Sequence, residues 1–403
     1  LEIFFIMILD LSKYADLKKV VSDKEYAHSK HLIVKEFGKL FVVKYDKTYL
    51  NINNLDSLGL FRSLILDENG KLISFSPIKS KNLLLDDTIK DEKFEDYHIE
   101  EFVEGTMINL FWHPYLNDWE ITTRSTIGAK NSFNEKKTFR YMFLETCNTI
   151  GFEFDELDKN YSYSFVLQHP DNRIVVPLKN QNLYLVRIFK FYESTVEYMD
   201  CNTYLKENKH LQDGKVRVPF VYDKGQLNVS SFYELNDYVE KYDLDYKNLG
   251  YICVNNNFKR IKKRNKNYEI VRRLKGNTPK MQFQYYFLRQ NNKVSEFLKY
   301  YPECKGDFSK MRYDLHEWTN RLYQYYINCF IKKNIDLKNC PYEFKPHLYQ
   351  LHNMYLNELM IEKKYVSKKV VIEYVNNLPP QRLMYSINHQ LKLNIVDEKI
   401  ANA

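Results

Sequence analysis

The chain has 403 residues, 44% apolar and 28% charged, with 11 Gly and 11 Pro. That composition excludes a disordered or collagen-like chain and suits two domain cores, at most three. The formal net charge is +8, and its placement matters more than its size: Lys259 to Lys275 holds nine Lys or Arg against Glu269 alone, and the rest of the chain balances at 51 of each sign.

The opening run Leu1 to Leu9 is apolar but contains Glu2 and meets Asp10, with no basic leader and no small-residue cleavage site. No segment approaches the roughly 20 apolar residues of a membrane helix. A soluble, cytoplasmic protein is expected. From Lys39 to about Lys275, short strand-like runs alternate with turn residues. The runs are Leu40 to Tyr45, Ser63 to Leu66, Leu72 to Ser76, Thr106 to Trp112, Trp119 to Thr123, Tyr163 to Gln168, Ile174 to Val176, Leu183 to Phe191 and Tyr251 to Val254. Turns such as Asp67-Glu68-Asn69-Gly70 separate neighbours at hairpin distance. Helices are expected near Asn134 to Thr149 and Ser231 to Tyr242. Residues 1–278 therefore read as an antiparallel-rich α+β domain.

Beyond Pro279 apolar and aromatic residues recur at three- and four-residue steps in Phe283 to Arg289, Val294 to Tyr300, Met311 to Lys332, His347 to Glu362 and Lys368 to Asn377. Pro302, Pro341, Pro346 and Pro379-Pro380 fall between these runs, where helix breakers belong. Residues 279–403 read as an all-helical domain. His347 and His352, five apart, do not share a helix face and read as packing residues. The C-terminal aromatics, including Trp318, Tyr323, Tyr325 and Tyr326, read mainly as core, with some available to stack on RNA bases. The six cysteines are scattered without a CxxC pair, as expected for reduced thiols.

Six segments carry a family resemblance through their order. They are Phe61-Arg62-Ser63; Phe75-Ser76-Pro77-Ile78-Lys79-Ser80; Phe102-Val103-Glu104-Gly105-Thr106; Thr122-Thr123-Arg124-Ser125-Thr126-Ile127-Gly128; Pro170-Asp171-Asn172-Arg173-Ile174-Val175; and Leu249-Gly250-Tyr251-Ile252 with Arg260-Ile261-Lys262-Lys263-Arg264. The layout resembles that of the phage-type tRNA-repair RNA ligases, of the covalent nucleotidyltransferase superfamily that includes DNA ligases and mRNA capping enzymes. It also resembles divergent homologues in large DNA viruses, for which a virus factory in the host cytoplasm is the implied location.

The resemblance implies an ATP-grasp-like ligase domain followed by a helical one. It implies ATP and Mg²⁺ as cofactors and RNA, such as tRNA or broken RNA ends, as partner. In that chemistry a lysine attacks the α-phosphate of ATP, AMP passes to an RNA 5′-phosphate, and a 3′-hydroxyl displaces it. Each step is a phosphoryl transfer assisted by lysines and metal. By position, Arg62, Lys79, Glu104, Gly105, Arg124, Lys262 and Arg264 are nucleotide-binding candidates, with Lys79, Lys262 and Arg264 the catalytic ones. Lys259, Arg260, Lys263, Arg272 and Arg273 are candidates for RNA. Three positions depart from the pattern. Phe102 stands where the nucleophilic lysine belongs, Ser164, Val166 and Gln168 offer no acid where a metal-binding Glu belongs, and Leu249 replaces the Glu before Gly250. No metal ligand is assigned. The leading expectation is a protein that binds a nucleotide or RNA end without conventional self-adenylylation. The alternatives are an active ligase or capping-type transferase using a displaced lysine such as Lys79, and a non-catalytic structural or assembly protein.

Overall fold

The computed structural model describes residues 8–83, 89–133, 137–155, 157–208 and 215–389. Most of Leu1 to Leu9 and the start of the helix expected from Asn134 lie outside the described residues. The chain divides into two compact units, Leu1–Arg272 and Arg273–Ala403.

The first unit is built on strands β1 (Ile8–Asp10), β2 (Leu32–Phe37), β3 (Leu40–Tyr45), β4 (Leu64–Asp67), β5 (Leu72–Phe75), β6 (Lys81–Asn82), β7 (Tyr97–Glu101) and β8 (Thr106–His113). After these come β9 (Asp118–Thr123), β10 (Thr126–Ile127), β11 (Tyr161–Gln168), β12 (Asn182–Tyr192), β13 (Thr195–Met199), β14 (Val221–Tyr222), β15 (Gly250–Asn255) and β16 (Arg260–Arg264). They form a seven-stranded sheet ordered β1-β13-β12-β11-β8-β9-β10, a five-stranded sheet β14-β7-β15-β16-β6 and a four-stranded sheet β2-β3-β4-β5. Among the described strands every ladder is antiparallel except β6 with β16.

The cores follow from strand alternation. In β3, Leu40 and Val42 pack with Ile65 and Phe111, whereas Val43 and Tyr45 join Leu64, Phe75 and Phe189. A strand buried on both faces reads as an unbroken apolar run, which is why it was visible in the sequence. The helix Phe139–Ile150, capped by Thr138 and ended by left-handed Gly151, lays Met142 and Phe143 on the seven-stranded sheet. The helix Phe232–Lys241 lays Leu235 and Val239 on Ile99, Cys253 and Ile261 of the five-stranded one.

One expected strand is absent. Ile174 to Val176 runs as irregular chain, because the amides of Val175 and Val176 donate to the Glu104 carboxylate at 3.2 and 3.0 Å instead of to a ladder. Conversely β7 and β16 were not expected, since Tyr-His-Ile-Glu-Glu and Arg-Ile-Lys-Lys-Arg lack an apolar run.

The second unit is helical: Met281–Gln290, Val294–Tyr300, Lys305–Tyr326, Lys345–Met354, Lys368–Asn376 and Pro380–Ile387. Two of these helices widen into π-turns, at Ile327–Ile331 and Tyr355–Leu359, which shortens the α-helices expected through Lys332 and Glu362. Pro380 begins a helix that was not expected, at a position where the missing amide costs nothing. His347 is buried between Tyr374 Oη and Ser386 Oγ, each at 2.8 Å, and His352 stacks on Phe330. No helix among the described residues is long and apolar enough to cross a membrane.

Candidate functional site

Strands β7, β15 and β16 set three rows of side chains on one face of the five-stranded sheet. Residues directly opposite in a ladder share a face. Glu100 pairs with Ile252 and Ile252 with Lys262; His98 pairs with Val254 and Val254 with Arg260; Gly250 pairs with Arg264, and the Phe102 amide donates to Gly250 O at 3.4 Å. The opposite face, through Ile99, Cys253 and Ile261, is committed to the helix-backed core. Two glycines allow close backbone approaches here, Gly250 to β16 in this sheet and Gly105 to β11 in the seven-stranded sheet. A Cβ on Gly250 would lie 2.2 Å from Lys263 O, and one on Gly105 would lie 2.5 Å from Leu167 O, with φ values of +125° and +154°.

The cations converge on this face. Arg62, from the turn before β4, donates to Pro77 O at 3.3 Å; Arg124 donates through Nε to Arg62 O at 3.2 Å and lies 4.5 Å over the Tyr45 ring. Arg260 donates to Ile78 O at 3.4 Å, next to Lys79, and Arg264 lies 5.7 Å from the Phe102 ring centre. Among the described residues neither Lys79 nor Lys262 has a carboxylate partner. Lys262 is 8% exposed, and desolvation, followed by Lys79, Arg264, Arg62 and Arg260, brings its ammonium down to about 7. Desolvation also lowers Lys79, helped by Arg62, Arg264, Arg124 and Lys47. Arg260 falls to about 9, through desolvation and then Arg187 and Arg62. Three buried guanidinium nitrogens, Arg124 Nη2, Arg260 Nε and Arg264 Nε, have no hydrogen-bond partner. Like charges gathered with unpaired donors fit an anion with several oxygens, such as a phosphate.

The structure brings together Arg62, Lys79, Arg124, Lys262 and Arg264 of the sequence candidates, and treats Glu104 differently. Glu104 is 7% exposed and its carboxylate accepts from the Val175 and Val176 amides, so it fixes the loop after β11. Of the positions lacking an acid, Ser164 donates to Asn109 Oδ1 at 2.8 Å, Val166 packs with Tyr184 and Val186, and Gln168 donates to Glu104 O at 2.9 Å. Leu249 is buried. Among the described residues no three His, Cys, Asp or Glu side chains gather to hold a metal ion.

The basic segment Lys259 to Lys275 is dispersed. Lys259 pairs with Glu92 at 2.8 Å, Lys263 with Glu240 at 2.6 Å, and Arg272 with Glu269 at 3.1 Å; Arg260 turns toward the Lys262 face, and Arg273 is exposed. Sequence reasoning missed two features. Lys44 donates to Ser125 Oγ at 2.8 Å beside Arg124, and Glu100 accepts from Arg187 Nη2 at 3.0 Å on both oxygens. No motif marks either. A lysine ending an apolar strand and a glutamate inside a charged one are the signals that could have drawn attention to them.

No family model matches the chain. It is 22% identical over 326 residues to the immediate-early protein ICP-46 homolog of Invertebrate iridescent virus 6, covering 74% of this chain and 68% of that protein. It is 31% identical over 98 residues to an RNA ligase of Rhodothermus phage RM378, a match spanning 22% of each chain. Among solved structures, an archaeal ATP-dependent RNA ligase superposes with a TM-score of 0.40 at 12% identity, covering 73% of this chain and 74% of that one. The chain is therefore similar in sequence to a viral ICP-46 homolog over most of its length and to a phage RNA ligase over about a fifth of it.

Proposed function

We propose that this chain is an RNA ligase-like protein of the nucleotidyltransferase type, which binds a nucleotide or an RNA end through its phosphates and lacks the conventional means of attaching AMP. The observation that carries the reading is the set of cations Arg62, Lys79, Arg124, Lys262 and Arg264, with two lysines lacking a carboxylate and buried guanidinium nitrogens unpaired. These groups would hold the phosphates of ATP or of a 5′-phosphorylated RNA. Phe102 supports the second half of the reading, since a phenyl ring cannot attack phosphorus.

The test uses the intact protein with ATP labelled at the α-phosphate and Mg²⁺ or Mn²⁺. Equilibrium dialysis is expected to show reversible, salt-sensitive retention of the label, and denaturing electrophoresis is expected to show none on the protein. A covalent AMP adduct on any lysine rejects the inactive reading. Absence of binding to both ATP and 5′-phosphorylated RNA rejects the phosphate site and favours a structural or assembly role.

The lowered proton affinity of Lys79 supports a second reading, in which this amine is a displaced nucleophile. An adduct that disappears in Lys79→Ala would establish it, and an undiminished adduct in that variant would reject it.

A further inference from the structure

The cations do not end at the nucleotide candidates. Lys44 near the end of β3 is tied to Ser125, the residue before it in the chain is Arg124, and Arg124 reaches the Arg62 backbone while stacking on Tyr45, the residue after Lys44. Arg62 in turn donates to Pro77 O, two residues before Lys79. These bonds run from the end of β3 to the segment that carries Lys79, where Ile78 O accepts from Arg260 of the Lys262 face at 3.4 Å. Exposed Lys35 and Lys47 flank Lys44, and every charged group that perturbs Lys44 (Lys35, Arg124 and Lys47) is a cation. Lys47 lies close enough to depress the proton affinity of both Lys44 and Lys79.

A single nucleotide needs only one end of such a series, because its phosphates are contiguous. A line of cations leading out of a phosphate site to an exposed rim instead matches a ligand whose phosphates recur along a chain. Resting on the reading of the site as phosphate-binding, we propose that Lys44, with Lys35 and Lys47, forms a strand-binding track that holds the backbone of a single-stranded RNA whose terminal phosphate sits at Lys79 and Lys262. Protein or polypeptide polyanions lack a terminal phosphate and serve as the contrast.

The experiment compares the equilibrium binding of ATP, of a 5′-phosphorylated ribonucleotide pentamer and of poly-glutamate to the full chain, at two salt concentrations. Variants Lys44→Ala and Lys44→Gln are measured beside the unaltered protein, and their melting curves establish that they fold. The pentamer is expected to bind more tightly than ATP. Lys44→Ala is expected to weaken the pentamer about five- to tenfold and to reduce the magnitude of its log-log salt slope by about 0.7, the single-strand value for one lost phosphate contact. ATP binding should change less than twofold. Equal loss for ATP and the pentamer, or no loss for either, overturns the track. So does a pentamer no tighter than ATP, or poly-glutamate binding as tightly as RNA. If neither ATP nor the pentamer binds the unaltered protein, the site reading and the track fall together. ATP binding without a Lys44 effect on the pentamer removes the track alone.

Discussion

Lys262 and Glu100 stand on the same face of the same sheet, each opposite Ile252 from a different side, yet they do not neutralise one another. Glu100 is held by both oxygens to Arg187 at 3.0 Å and by His98 at 2.8 Å. Its charge is spent there, and Lys262 is left among Lys79, Arg264, Arg62 and Arg260. One carboxylate on that face thus belongs to the scaffold; Arg264 is itself paired with Glu269 at 3.1 Å, while among the described residues Lys262 and Lys79 have no carboxylate partner.

Replacing Lys262 with Met is expected to stabilise the free protein at pH 6 while weakening phosphate binding. A buried ammonium without a counter-ion is costly, and an apolar isostere removes the cost. Each unit by which the ammonium falls below its ordinary value corresponds to about 1.4 kcal/mol, so the gain should be a few kcal/mol at most. Thermal melting without ligand and a binding titration read the two effects. A lower midpoint for Lys262→Met at pH 6 would contradict the uncompensated charge.

The same group dictates the pH dependence. Lys262 loses its proton near 7 in the folded chain and near 10.5 when unfolded. Between those values the unfolded state binds more protons, so this group makes stability rise with pH; below about 7 both states are protonated and the penalty is complete. Ligand affinity runs the other way. A bound phosphate favours the ammonium, so binding takes up a proton and affinity falls by up to about tenfold per pH unit above 7. Calorimetric titration in two buffers of different ionisation enthalpy measures the uptake, and a pH-independent affinity from 6.5 to 9 would refute it.

Glu100→Gln should be among the most destabilising single changes in the first unit, at about 3–5 kcal/mol, because it strands the buried Arg187 guanidinium. Desolvation opposes the charge, but Arg187 and then His98 outweigh it and hold the Glu100 carboxyl down at about 2. Its contribution is therefore complete above the unfolded value of about 4.5 and declines as pH falls toward 2. Urea melts of the variant and of the unaltered protein at pH 7 and pH 3 test both statements, with the difference expected to narrow at the lower pH.

In the second unit, the Sγ atoms of Cys329 and Cys340 lie 2.9 Å apart, less than an ångström beyond a covalent S–S bond of about 2.05 Å. A thiol oxidant such as diamide should consume two of the six thiols and join the two peptides, stabilising this unit by about 2–3 kcal/mol through the short loop it closes. Burial, aided by Cys340, pushes the Cys329 thiol up to about 12, so the reaction should accelerate nearly tenfold per pH unit from 7 to 9. Peptide mapping after alkylation would show it, and six freely alkylated cysteines would rule it out.

The strands that could be read from the sequence are those with two apolar faces, such as β3 and β4, and the helices are those with regular apolar spacing. Strands β7 and β16 were hidden for one reason: each carries charge on the face that lines the site, so pattern and propensity disagree where function is expected. The basic run Lys259 to Lys275 shows the converse error. Pleating sends Arg260, Lys262 and Arg264 to one face and Lys263 to the other, where Glu240 meets it, while Glu92 takes Lys259. Charges adjacent in sequence are thus divided between two surfaces. The ones that do meet, Arg62, Lys79, Arg124 and Lys262, come from four separate segments, and only the order of motifs hinted at their meeting.

The unpaired nitrogens of Arg124, Arg260 and Arg264 have a practical side. If the proposed phosphate site is right, these donors predict that the protein carries nucleic acid, sulfate or buffer phosphate through purification. Its stability in phosphate buffer would then be that of a complex. An absorbance ratio at 260 and 280 nm that falls after a high-salt wash would be a sign that the tenant has left.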